Sequence, residues 1–173
     1  AMKLHQFDRI EERLRRVGFV NHPEVRHRWL VDGALVDVMP VESDIMVTIN
    51  RWYPATFRTA EPIEISEGVG VLIPSPACFL ATKMEAFINR GRGDFLGSHD
   101  LEDFVTVIDG RDSLIEDIDR NCPIEVRDFL RATTGRLLAN FSFLDVLEGY
   151  LAPGYRTEQR LRRLIERLEH LAR

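Results

Sequence analysis

The chain has 173 residues and a mass of 20.0 kDa, long enough to bury roughly two-thirds of its unfolded surface in a core without metals or disulfides. Its 23 Lys and Arg stand against 28 Asp and Glu, a net charge of −5, with no basic block, which argues against a partner held through a nucleic-acid backbone. At 45% hydrophobic and 29% charged residues the composition is globular, and no apolar run approaches the ~18–20 residues of a membrane span.

Leu4, Phe7, Ile10, Leu14 and Val17 recur at three- and four-residue spacings, with Asp8, Glu11, Glu12, Arg13, Arg15 and Arg16 on the other faces. This predicts an amphipathic first helix. Gly18 is placed to end it in the left-handed conformation, so that Phe19-Val20 folds back on the apolar stripe. From Arg26 to Met39 two extended runs flank Asp32-Gly33, a dipeptide suited to a two-residue hairpin turn. That register sets Val31 opposite Ala34, Leu30 opposite Leu35, Trp29 opposite Val36 and Arg28 opposite Asp37, each pair on one face. Within 40–61, Asp44-Ile45-Met46 reads as a helical turn and Asn50-Arg51-Trp52-Tyr53-Pro54 as an irregular aromatic segment. Ile63/Ile65 and Val69/Val71/Ile73 alternate around Glu67-Gly68, a second hairpin expected to extend the same sheet.

Beyond Ser75 the pattern is helical. Ser75-Pro76 supplies an N-cap and a first-position proline, and Phe79, Leu80, Met84, Phe87 and Ile88 form the buried stripe. A break at Gly91-Arg92-Gly93-Asp94 precedes a helix from Ser98 through Leu101, Phe104, Val105 and Ile108 that Gly110 stops. Helices over about 112–121, about 123–150 with a break near Phe141-Ser142, and Thr157 to Ala172 follow. One helix, then strands, then a run of helices predicts an α+β fold. Residues 1–74 would form a helix with a small, mostly antiparallel or mixed sheet, and 75–173 a C-terminal helical bundle packed on it as one domain. Cys78 and Cys122 fit no zinc-site spacing and read as reduced thiols. Ala1 before Met2 reads as a scar of tag removal, and with no leader pattern the expected compartment is the cytoplasm.

Asp37 sits mid-strand among Leu35, Val36, Val38 and Met39, where a carboxylate needs a partner. It is either the cross-strand ion pair of Arg28 or a metal ligand or general base projecting from a sheet. Lys83 and Arg90 fall seven residues apart on one helix face, a cationic stripe able to clamp a triphosphate or simply a solvated edge. Asp100 and Asp103 share a face one turn apart behind the N-cap Ser98, where the helix dipole also favours acidic residues. Asp94 is placed to cap or coordinate, and His99 has no evident partner. No GxxxxGK(S/T) loop, GxGxxG fingerprint after a strand, HExxH helix or GxSxG elbow is present.

Three segments together resemble a known family: residues 29–40, Trp-Leu-Val-Asp-Gly-Ala-Leu-Val-Asp-Val-Met-Pro; Asn50-Arg51-Trp52-Tyr53; and Ala81-Thr82-Lys83-Met84-Glu85-Ala86-Phe87 leading through Arg90 to His99-Asp100-Leu101-Glu102-Asp103. They resemble the nucleotidyltransferase-like proteins grouped with the AbiEii/AbiGii abortive-infection toxins, over about residues 3 to 115. The resemblance implies a polymerase-β-like nucleotidyltransferase fold in which three carboxylates on a small mixed sheet hold Mg²⁺ and position a nucleoside triphosphate. Asp37 matches the third carboxylate and metal ligand, and Lys83, Asp100 and Asp103 match the helical motif that completes the catalytic site. Arg51, Lys83 and Arg90 are the expected nucleotide-binding cations, and all these groups are expected to meet in one cleft. The acceptor (tRNA, protein or small molecule) and an antitoxin are the partners such a reading brings.

This sequence departs from the family pattern ahead of the first helix, where only two residues precede Lys3 and neither the Gly-Ser turn nor the Asp-x-Asp strand is found. One carboxylate organises Mg²⁺ and a triphosphate poorly, so transfer by this chain is expected to be impaired or absent. A late start codon, a truncated gene or a partner supplying the strands would each account for the departure. Loss of a strand also predicts an open apolar surface and a homodimer formed through it. Two other readings stand beside this one: a non-catalytic nucleotide- or partner-binding regulatory protein on the same fold, and a structural domain whose charges are all salt bridges.

Overall fold

In the computed structural model, which describes residues 4–40, 50–151 and 157–173, the chain divides into two units, Ala1–Ile49 and Asn50–Arg173. The turn read at Asp44-Ile45-Met46 lies outside the described residues.

The first unit opens with helix α1, Leu4–Arg16. Gly18 takes φ +93°, and the Phe19 amide donates to the Leu14 carbonyl at 3.0 Å, turning the chain back on the helix. Three short strands follow, β1 (Val20–Asn21), β2 (Arg28–Val31) and β3 (Ala34–Asp37), in an antiparallel sheet of order β1-β2-β3. Both turn residues have positive φ, 48° at Asp32 and 83° at Gly33, the geometry that matches the twist of a tight hairpin. The turn fixes the register expected from sequence: Val31 with Ala34, Leu30 with Leu35, Trp29 with Val36, and Arg28 with Asp37. Trp29 is fully buried, whereas Leu30 and Leu35 are exposed. Asp37 belongs to that second face by the strand's period of two, so it is exposed. Arg26 braces the unit from outside, with Nε donating to Glu11 Oε1 and Nη2 to Asp8 Oδ1, both at 2.8 Å.

The second unit begins with a short helix the sequence reading missed, α2 (Tyr53–Arg58), with Pro54 in its first turn. Strands β4 (Glu61–Ser66) and β5 (Val69–Ile73) pair antiparallel as a separate two-stranded ribbon, which corrects the expectation that they extend the first sheet. Every residue of both strands is exposed. Their alternation was real, but period two sets only which residues share a face and not what that face packs on.

The helical region then runs α3 (Pro76–Arg90), α4 (His99–Gly110), α5 (Leu114–Asn121), α6 (Ile124–Leu138), α7 (Phe141–Val146), a 3-10 turn Leu147–Tyr150, and α8 (Thr157–Leu171). This is the α+β arrangement expected: small antiparallel sheets followed by a multi-helix bundle. Side-chain caps open three of the helices, with Ser75 accepting from the Cys78 amide, Ser98 from Leu101 and Asn140 from Phe143. Leu80, Met84, Leu101, Phe104, Ile108, Leu130, Leu164 and Leu168 bury 99% or more of their surface in one cluster, each worth roughly 1.5–3 kcal/mol of transfer free energy. Helices α3 and α4 pack directly on each other at its centre, and that packing positions the charged groups described next.

Candidate functional site

Helix α3 presents Lys83 and Arg90 two turns apart, and α4 presents Asp100 in its first turn and Asp103 one turn further on. Asp100 is the hub. Arg90 grips it with both arms of the guanidinium, Nε to Oδ2 at 2.8 Å and Nη2 to Oδ1 at 2.9 Å. Lys83 Nζ lies 3.6 Å from Asp100 Oδ1 and 2.5 Å from Asp103 Oδ2, so one ammonium joins both carboxylates across the helix pair. Its charge also sits 5.5 Å from the Phe79 ring centroid, one turn back on α3.

Exposure grades across the network. The Asp100 side chain is 11% exposed, Lys83 26% and Asp103 48%, so the contact on Asp103 faces solvent while Asp100 is enclosed. Burial by itself disfavours the Asp100 carboxylate charge, but the Arg90 hydrogen bonds, the Arg90 charge and then Lys83 outweigh it and hold the pKa below the ordinary aspartate value. Arg90 is correspondingly raised, first by its hydrogen bonds to Asp100.

The other predicted residues have partners of their own. Arg51 pairs with Glu85 of α3, Nε to Oε2 at 3.1 Å, and its guanidinium lies 4.9 Å from the Trp52 ring and 4.6 Å from the Phe129 ring. Asn50 ties this turn to α3 by donating to the Thr82 carbonyl at 2.7 Å. Glu85 and Asn50 were not singled out from sequence, although Asn50-Arg51-Trp52 stood in the aromatic segment noted there. Asp37 belongs to the first unit, where Arg28 holds both its oxygens, Nε to Oδ1 at 2.7 Å and Nη2 to Oδ2 at 2.9 Å. Those hydrogen bonds lead the causes that lower its pKa.

Asp94 caps its own loop, Oδ1 accepting from the amides of Leu96 at 3.1 Å and Gly97 at 2.8 Å. Gly97 permits this closeness, since a Cβ there would stand 2.5 Å from Asp94 Oδ2. His99 is exposed beside Glu102.

Magnesium needs near-octahedral oxygen ligation. Both oxygens of Asp37 and of Asp100 are bound by arginine, and Asp103 is bound by Lys83. As they stand these carboxylates are neutralised by side-chain cations and do not fit a resident Mg²⁺. What the arrangement offers chemically is an ammonium and a guanidinium near the surface, each exchangeable from carboxylate to another oxyanion.

Comparison with protein-family models, curated proteins and solved structures gives no match to the chain. Fold and site together define an α+β protein with a charged α3–α4 seam. Among the described residues no helix is long and apolar enough to cross a membrane.

Proposed function

We propose that this is a nucleotidyltransferase-like cytoplasmic protein whose α3–α4 seam meets the phosphates of a nucleoside triphosphate, with nucleotidyl transfer itself impaired. The observation that carries the reading is the meeting of Lys83, Arg90, Asp100 and Asp103 in one network across two helices. In this reading Lys83 leaves the exposed Asp103 for a phosphate oxygen, while Arg90 keeps Asp100 neutralised and the helices in place. The acceptor and any antitoxin partner belong to the same proposal.

Titration of the chain with ATP or CTP in the presence of Mg²⁺ tests it. Saturable binding is expected, weakened at least about tenfold in Lys83→Ala, since a charge-assisted contact contributes roughly 1.5–3 kcal/mol. Absence of any heat or chemical-shift change at about 5 mM nucleotide, weaker than roughly −3 kcal/mol of binding, would sink the reading.

The doubly bonded Arg28–Asp37 pair favours a second reading, a non-catalytic binding or regulatory protein in which Asp37 is structural. Under it, Asp37→Asn leaves nucleotide binding unchanged and no transfer product is found with wild type.

A further inference from the structure

Where the ends of α5 and α8 meet α6, the second unit holds a partly open pocket of about 320 Å³. Small-molecule sites begin at roughly 300 Å³, so there is room for an organic group as well as an anion. Arg127 and Arg131 of α6 line it together with His170 of α8, Arg173 just beyond that helix, Asp119 and Asp128. Three guanidinium groups thus stand in this lining beside two side-chain carboxylates, in a chain whose total charge is −5.

The lining groups divide by what already occupies them. Arg127 Nη2 donates to the carbonyls of Ile118 at 2.9 Å and Asp119 at 3.0 Å, closing the C-terminal turn of α5. His170 Nε2 lies 3.4 Å from Asp119 Oδ2. Among the described residues, no hydrogen bond or ion pair engages the guanidinium group of Arg131 or of Arg173. Behind them, the buried Leu130 and Leu171 supply an apolar wall. Two uncommitted guanidinium forks suit an anion with several oxygens on one centre, and the wall suits carbon attached to it.

We propose that this pocket binds a small phosphate monoester, its phosphate between Arg131 and Arg173 and its organic group against Leu130 and Leu171. The site is separate from the α3–α4 seam and does not depend on that seam's function.

Calorimetric titration of the full chain with ribose 5-phosphate, alongside ribose and inorganic phosphate, tests the proposal. Saturable binding of ribose 5-phosphate, no binding of ribose and weaker binding of inorganic phosphate are expected. The double variant Arg131→Ala, Arg173→Ala should lose at least about tenfold in affinity, whereas Lys83→Ala should lose none. Arg131→Gln alone, which keeps a polar side chain at an exposed position, should show the same direction if the double variant folds poorly. No saturation by about 10 mM, a ligand energy below roughly 3 kcal/mol, overturns the proposal. So does a loss caused by Lys83→Ala but by neither arginine variant, which would move the ligand to the seam. Equal affinity for inorganic phosphate overturns the ester assignment.

Discussion

Asp100 concentrates the electrostatics of the second unit because a single enclosed carboxylate serves two cations from the neighbouring helix. Its pKa is lowered in the folded state, so its contribution is fully present above the unfolded value near 4 and is lost as pH falls through the lower folded value. Asp100→Asn should therefore destabilise the protein by about 1.5–3 kcal/mol at neutral pH. The gap from wild type should close progressively below about pH 4, as read from urea denaturation at a series of pH values. A gap that stays constant down to pH 2 would assign the loss to packing. Cys122 gives a contrasting case: burial, then the neighbouring Cys78, pushes its thiol up to about 11. Roughly one part in a thousand is then thiolate at pH 8, and alkylation by iodoacetamide should run far slower than for a free cysteine under the same conditions. An equal rate would contradict the burial seen for this side chain.

Capping decides where several helices begin, and its cost is measurable. Asn140 breaks what would otherwise be a continuous α6–α7 helix by taking a β conformation, φ −102° and ψ 111°, and accepting from the Phe143 amide at 3.3 Å. Asn140→Ala should cost about 1 kcal/mol in thermal or urea unfolding, and Asn140→Gly only a few tenths; equal costs for the two would remove the side-chain cap from the account. Much of this element structure was legible beforehand because it rests on local chemistry. Asp32-Gly33 fixed the β2–β3 register and with it the Arg28–Asp37 pair, and the three-residue spacing of Asp100 and Asp103 put both on one face of α4. What was not legible depends on distant partners. Helix α2 has six residues and no full apolar period, so its existence follows from packing on α3 and from the Asn50 bond to Thr82. The pairing of Arg51 with Glu85 follows from no spacing rule, since 34 positions separate them.

The two units carry very different cores. The continuous buried cluster runs from Trp52 to Leu171 and lies wholly in the second unit, whereas Phe7 and Trp29 are the large apolar side chains described as buried in the first. Domains below about 70–80 residues rarely gain more than 3–5 kcal/mol from one core. Residues 50–173 expressed alone should therefore unfold cooperatively with a helical circular-dichroism spectrum, and residues 1–49 alone should not; a non-cooperative melt of the longer fragment would contradict this division. Within the second unit, Leu164→Ala should cost about 2–5 kcal/mol by the cavity it leaves among α4, α6 and α8. The same helix carries Arg167, whose Nη1 donates to the Ile108 and Asp109 carbonyls at 2.7 Å each while Nη2 reaches Asp112 at 2.8 Å. The open end of α4 is thus closed by a side chain 58 positions later in the chain. During synthesis at about 5–20 residues per second, roughly 3–12 s separate the two. Through that interval α4 stands without its closing arginine and without the leucines of α8, so the nascent chain must wait for α8 before the bundle can shut.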